Sequence, residues 1–143
     1  MKVRVRQKAD FHFTGSGGEF PTPLPIDAAP HVGGKGRGYR PPELFMYSIA
    51  GCMGIHTYEA LLKAGKRVEE IEVETDGVRQ EEHPRVYTQI TLKLSLRGNG
   101  LTDRDVKDAI EVALHQTCSI AALVNRACPI TYEFKVLKGA VAA

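Results

Sequence analysis

The 143-residue chain has no stretch of roughly eighteen apolar residues without a charged or polar interruption, which excludes an ordinary membrane-spanning helix. Its opening, MKVRVRQKADFHFT, lacks the apolar core of a secretory leader, so the expected compartment is the cytoplasm. Neither charge dominates. Lys and Arg number 19 against 17 Asp and Glu, a formal charge of +2. The basic residues form no stripe and do not interleave with aromatics, which argues against a nucleic-acid partner. Cysteine is scarce and odd in number, with three in the chain. An odd count without a leader does not read as a disulfide framework. Each cysteine is therefore either a core residue or a functional thiol.

The length suits one domain, residues 1–143, with a core of its own. Residues 1–35 read as N-terminal strands. Val3 and Val5 alternate with Arg4 and Arg6, as in a strand with one wet face. Phe11 and Phe13 repeat the pattern before a Gly-rich turn at residues 15–18. The segment EFPTPLPIDAAP is broken by prolines and fits only a sheet edge. HVGGKGRGYRPP reads as a flexible loop ending in a proline pair that can start a helix. Residues 42–64 then form a helix that is apolar nearly all round, the mark of a buried central element. Gly65 is its C′ residue, and Lys66 and Arg67 suit its negative end.

Residues 69–97 read as a hairpin. Ile71 and Val73 oppose Glu70, Glu72 and Glu74. Ile90, Leu92, Leu94 and Leu96 alternate with Thr91, Lys93 and Ser95, with EEHPR as the connection. Such one-sided strands belong to antiparallel sheets. Residues 102–127 are helical, with Thr102 as N-cap, Asp103 and Asp105 in the first turn, and Val106, Ile110, Ala113 and Leu114 as the inner stripe. Residues 130–137 make a final strand, and residues 138–143 a frayed tail. This order predicts an α+β domain with antiparallel sheets packed around two central helices. A sheet covers one side of helix 42–64 and leaves the other bare. A homodimer that sandwiches two copies of it would cover both.

The chemistry centres on the cysteines. Cys52 lies mid-helix with His56 four residues on, and Cys118 lies four residues after Leu114. On a continuous helix Cys118 would sit close to the inner stripe. Cys128 is ten residues beyond Cys118, about 15 Å of helical rise, against the roughly 7 Å limit for bridging Cα atoms. Cys52 and Cys118 therefore make the more credible pair. Three readings stay open: small buried hydrophobes, a redox pair, and a Cys₂His₂ zinc set of Cys52, His56, His115 and Cys118. A reactive thiol needs a neighbouring cation to favour its thiolate. Arg37 and Arg40, in the loop before the helix, are the candidates. Arg79, at a strand end among acidic neighbours, reads as a surface ion-pair residue.

Three segments resemble the OsmC/Ohr family. GYRPPELFMYSIAGCMG (38–54) is similar to its Pro-x-Glu-Leu…Cys helix, and ALHQTCSIAALV (113–124) to its second-cysteine segment. VRQEEHPRVYTQITLKLSLRGNGLTDRDVKDAI (78–110) follows its order of strand, hairpin, strand and helix. The resemblance implies an OsmC-like fold, an intertwined homodimer, and cysteine-based reduction of organic hydroperoxides in oxidative-stress defence. It makes Cys52 the peroxidatic cysteine and Cys118 the resolving one, joined in a disulfide after turnover. An external dithiol, of the lipoyl kind, is the implied reductant, with no metal or flavin. Cys128 matches neither role. The family's peroxidase branches carry a carboxylate ten residues before the first cysteine, paired with a catalytic Arg. Here that position is Pro42, and Glu43 stands one residue later, rotated by about 100° on a helix. That departure keeps a non-catalytic small-molecule-binding protein as the alternative.

Overall fold

The computed structural model describes residues 1–139 and divides into two compact units, Met1–Phe45 and a second that begins at Met46. The first unit is an antiparallel sheet of β1 (Val3–Ala9), β2 (His12–Gly17) and β3 (Leu24–Ile26), in that order. The Pro-interrupted β3 is an edge strand, as its sequence dictates. β1 departs from expectation. Both of its faces are exposed, Val3 and Val5 included, because no second layer of its own unit packs against it.

The loop after β3 is not a free coil. Residues Pro30–Val32 form a 3-10 turn, and the carboxylate of Asp27, fully buried, gathers the chain around itself. It accepts the backbone N–H groups of Ala28 (2.9 Å), Lys35 (3.1 Å) and Arg37 (3.0 Å). Gly34 is required inside this turn, since a Cβ there would fall 1.7 Å from the Ala28 carbonyl oxygen.

Helix α1 runs Pro41–Lys63, one residue earlier than expected at each end. Glu43, at its third position, accepts the Arg40 backbone N–H at 2.9 Å. This is the carboxylate half of a capping box. The helix ends in a Schellman motif, with Gly65 at φ 72°, Gly65 N–H on Leu62 O and Lys66 N–H on Leu61 O, both 2.9 Å.

The second unit is built on a three-stranded sheet of β4 (Glu70–Arg79), β5 (Tyr87–Gly98) and β6 (Ile130–Lys138), with β5 central. β4 and β5 pair antiparallel across the expected hairpin, but β5 and β6 pair parallel, so the sheet is mixed. A parallel neighbour needs a long crossover. The helical segment between β5 and β6 supplies it. The inward row of β5, Ile90, Leu92, Leu94 and Leu96, is buried with Ile49, Met53 and Leu61 of α1 and with Val106, Ile110, Ala113 and Leu114.

The second helical segment is broken rather than continuous. α2 (Asp103–Val112) starts with a full capping box between Thr102 and Asp105. It passes into a π-helical turn, Ala113–Thr117, and after Cys118 restarts as α3 (Ser119–Val124). The tail expected over residues 138–143 is corrected at Lys138, which closes β6; residues 140–143 lie outside the described residues. Among the described residues no helix is long and apolar enough to cross a membrane.

Candidate functional site

Cys52 sits on α1, half-buried. Its wheel position lies between two contrasting stripes. On one side run Ile49, Met53, Thr57 and Leu61, all fully buried; on the other run Tyr47, Ile55, Tyr58 and Leu62, all exposed. Between them, at i, i+4, i+7 and i+11, run Cys52, His56, Glu59 and Lys63. His56 Nδ1 is 3.2 Å from Glu59 Oε2, and Lys63 Nζ donates to the other oxygen, Oε1, at 2.6 Å. The Glu59 carboxyl is held below its ordinary value, first by the Lys63 hydrogen bond and then by that of His56.

Cys118 is 1% exposed and sits where the helical segment breaks. Its backbone N–H bonds back to Ala113 O at 2.9 Å, closing the π turn. Its own backbone then turns extended (φ −78°, ψ 102°), and it becomes the N-cap of α3, its Sγ accepting the Ala121 N–H at 3.3 Å. The expected i+4 placement on a continuous helix is thereby corrected. The break, not the helical row, aims this side chain. Cys52 and Cys118 stand as a disulfide pair, with Cα atoms 5.9 Å apart. Cys128 is apart from them, a buried free thiol that donates to the Pro129 carbonyl at 3.9 Å. Burial pushes its pKa up, which disfavours the reactive thiolate.

The two candidate arginines are each committed to a carboxylate in the first unit. Arg37 Nε donates to Asp27 Oδ2 at 3.3 Å. Arg40 Nε donates to Glu43 Oε1 at 2.8 Å, and its Nη2 contacts the same oxygen. Glu43 is thus both cap and counterion of the residue that opens α1. Arg79 does not make the expected ion pair among the described residues. Its Nε donates to Arg85 O at 2.6 Å, and its guanidinium carbon lies 5.4 Å from the Tyr87 ring centroid.

The zinc set does not assemble. Among the described residues no group of three or more His, Cys, Asp and Glu stands close enough to hold a metal ion. His115 instead faces Glu111, Nε2 to Oε2, at 3.3 Å. Glu111 also accepts the Tyr132 phenol, whose pKa is pushed up to about 12, chiefly by burial and then by that hydrogen bond. Sequence reasoning missed Asp27, Glu59 and the Tyr132–Glu111–His115 link. Glu59 was visible as a carboxylate three residues from His56, and Asp27 as an Asp opening a Pro/Gly-rich loop. Tyr132 and Glu111 are 21 residues apart on different elements, with no local signal.

Beside α1 an open groove of about 580 Å³ is lined by Ala50, Gly51, Gly54, Ile55 and Tyr58 on the helix and by Val68–Ile71 and Val73 on the β4 side.

The fold and site define an α+β protein with a cysteine pair, one half-buried on a helix and joined to a second at a helix break, and comparison supplies its family. The family model described as OsmC-like protein matches residues 34–133, and the chain belongs to that family. It is 31% identical over 97 residues to Protein YhfA of Escherichia coli (strain K12), covering 68% of this chain and 72% of that one. The fold is shared with a hypothetical protein from Aquifex aeolicus VF5, at TM-score 0.84, 21% identity and 96% of each chain. It is shared less closely with the organic hydroperoxide resistance protein OhrB of Bacillus subtilis, at TM-score 0.63 and 20% identity, over 94% of this chain and 96% of that one.

Proposed function

We propose that this protein is a cysteine-based reductase of organic hydroperoxides that serves oxidative-stress defence in the cytoplasm. The observation that carries the reading is the pairing of Cys52 with Cys118, their Cα atoms 5.9 Å apart. This spacing lets a sulfenic acid on one sulfur be captured by the other. The name of the Bacillus subtilis neighbour, an organic hydroperoxide resistance protein, points to the same substrate class.

In the reaction, the Cys52 thiolate attacks the O–O bond. A sulfur–oxygen bond forms, the peroxide bond breaks, and the alkoxide leaves as an alcohol after taking one proton. The Cys118 thiol then displaces water from the Cys52 sulfenic acid, giving the disulfide. An external dithiol of the lipoyl class returns both thiols by exchange. The scheme uses no metal or flavin. The working unit is a homodimer in which a second copy covers the exposed stripe of Tyr47, Ile55, Tyr58 and Leu62 on α1.

Mass spectrometry before and after one equivalent of cumene hydroperoxide tests the reading on fully reduced protein. The expected result is a loss of two hydrogens per chain and a Cys52–Cys118 cross-linked peptide. All three thiols remaining free would sink it. A binding-only function would then lead, favoured by the open groove beside α1 and by Pro42 in place of the family's carboxylate.

A further inference from the structure

We propose that His56, held by Glu59, is the group that takes the proton from Cys52 and later returns it to the departing alkoxide. This deepens the hydroperoxide-reductase reading and rests on it. The observation behind it is the line Cys52–His56–Glu59–Lys63 along a single face of α1, with His56 Nδ1 3.2 Å from Glu59 Oε2.

The geometry favours this direction of proton transfer. Residues four apart on a helix have Cβ atoms about 5–6 Å apart. Helical side chains lean toward the N-terminus, which is the direction of Cys52 from His56. A carboxylate on Nδ1 fixes the proton there and leaves the Nε2 lone pair as the acceptor. Glu59 is kept ionised for this task by Lys63, which donates to its other oxygen at 2.6 Å. His56 is also well shielded, with its side chain 27% exposed.

The other candidates face carboxylates of their own. Arg37 is bound to Asp27 and Arg40 to Glu43, within the first unit. His115 turns its Nε2 to Glu111. On its own helix His56 meets Glu59 and, through it, Lys63. On the β4 side, Glu69 and Glu70 border the adjoining groove that Gly51, Gly54 and Tyr58 line.

The step balances. In the reduced protein the Cys52 Sγ–H proton passes to His56 Nε2, leaving a thiolate beside an imidazolium, which is stabilised in turn by Glu59. The thiolate attacks the hydroperoxide, the O–O electron pair leaves on the alkoxide, and Nε2–H protonates it. His56 is neutral again, and Cys52 is a sulfenic acid ready for Cys118.

Two readouts on full-length reduced protein test the role. The first is the pH profile of Cys52 alkylation by iodoacetamide, followed on the Cys52 peptide so that Cys118 and Cys128 do not contribute. A free thiol, with a pKa of about 8.5, is mostly protonated at neutral pH. In wild type the half-maximal rate is expected at lower pH than in His56→Gln, with Glu59→Gln between them. The second is the rate of sulfenic acid formation with cumene hydroperoxide. His56→Gln is expected to be slower by about a hundredfold, in the range general acid–base groups supply. His56→Ala is expected to recover part of the rate with added imidazole, which a structural role would not permit. Alkylation profiles that coincide in wild type, His56→Gln and Glu59→Gln would overturn the proposal, whatever the peroxide result. A wild type that alkylates early but consumes no hydroperoxide would overturn the reductase reading and leave His56 as the activating base of Cys52.

Discussion

The buried carboxylate of Asp27 holds Arg37 twice, accepting its backbone N–H at 3.0 Å and its Nε at 3.3 Å. The Arg37 N–H leads the groups that hold this carboxyl down to about 2, with the Lys35 and Ala28 N–H groups adding to it and burial opposing. An unfolded Asp titrates near 3.9. A depressed folded value means that the stabilisation is fully present above the unfolded value and is lost as pH falls through the folded one. Thermal melts between pH 2 and 7 should therefore show Asp27→Asn lowering Tm most at pH 5 and above, with the gap closing toward pH 2. An equal deficit at every pH would mean that the ionised carboxylate is not what organises the loop.

Asp27 also marks where sequence reasoning stopped. The alternating strands, the N-cap at Thr102, the Gly65 terminus and the β5 core row were legible because each is a local pattern of period 2, period 3.6 or fixed cap spacing. The loop at residues 27–40 was not, because its order comes from one carboxylate reaching residues eight and ten positions away. The break at Cys118 was hidden for a different reason. TCSIAALV carries no Pro or Gly to announce it, so a continuous helix was the natural expectation. The parallel pairing of β6 is likewise a property of the crossover and not of the strand's own alternation.

Thr57 is fully buried on α1, and its hydroxyl has no hydrogen-bond partner among the described residues. A buried donor left unpaired is costly, while an apolar group of the same shape carries no such cost. Thr57→Val should raise the stability by about 1 kcal/mol, seen as a higher urea midpoint at unchanged slope. A lower midpoint would show that the hydroxyl is satisfied in solution, for instance by an internal water.

The two cysteines should fail in different ways. Cys52→Ser removes the attacking sulfur and should abolish hydroperoxide consumption. Cys118→Ser leaves attack intact but removes the thiol that captures the sulfenic acid. It should consume one equivalent per chain, stall, and pass to sulfinic acid with excess oxidant. Peroxide consumption with mass mapping of the Cys52 peptide separates the cases. Full multiple turnover in Cys118→Ser would remove Cys118 from the cycle and make the 5.9 Å pairing structural.

Ile55 is 68% exposed on the same helix whose opposite stripe is wholly buried. A single chain gains nothing from an isoleucine there, whereas a second copy laid against it would bury its apolar area at about 25 cal/mol per Å². Ile55→Lys places a charge in that contact while leaving the core of the chain untouched. Light scattering coupled to size exclusion should find wild type at twice the chain mass and Ile55→Lys shifted toward the single chain, with its helix content retained by circular dichroism. A variant that stays dimeric would locate the interface away from this face. A wild type of single-chain mass would remove the homodimer altogether.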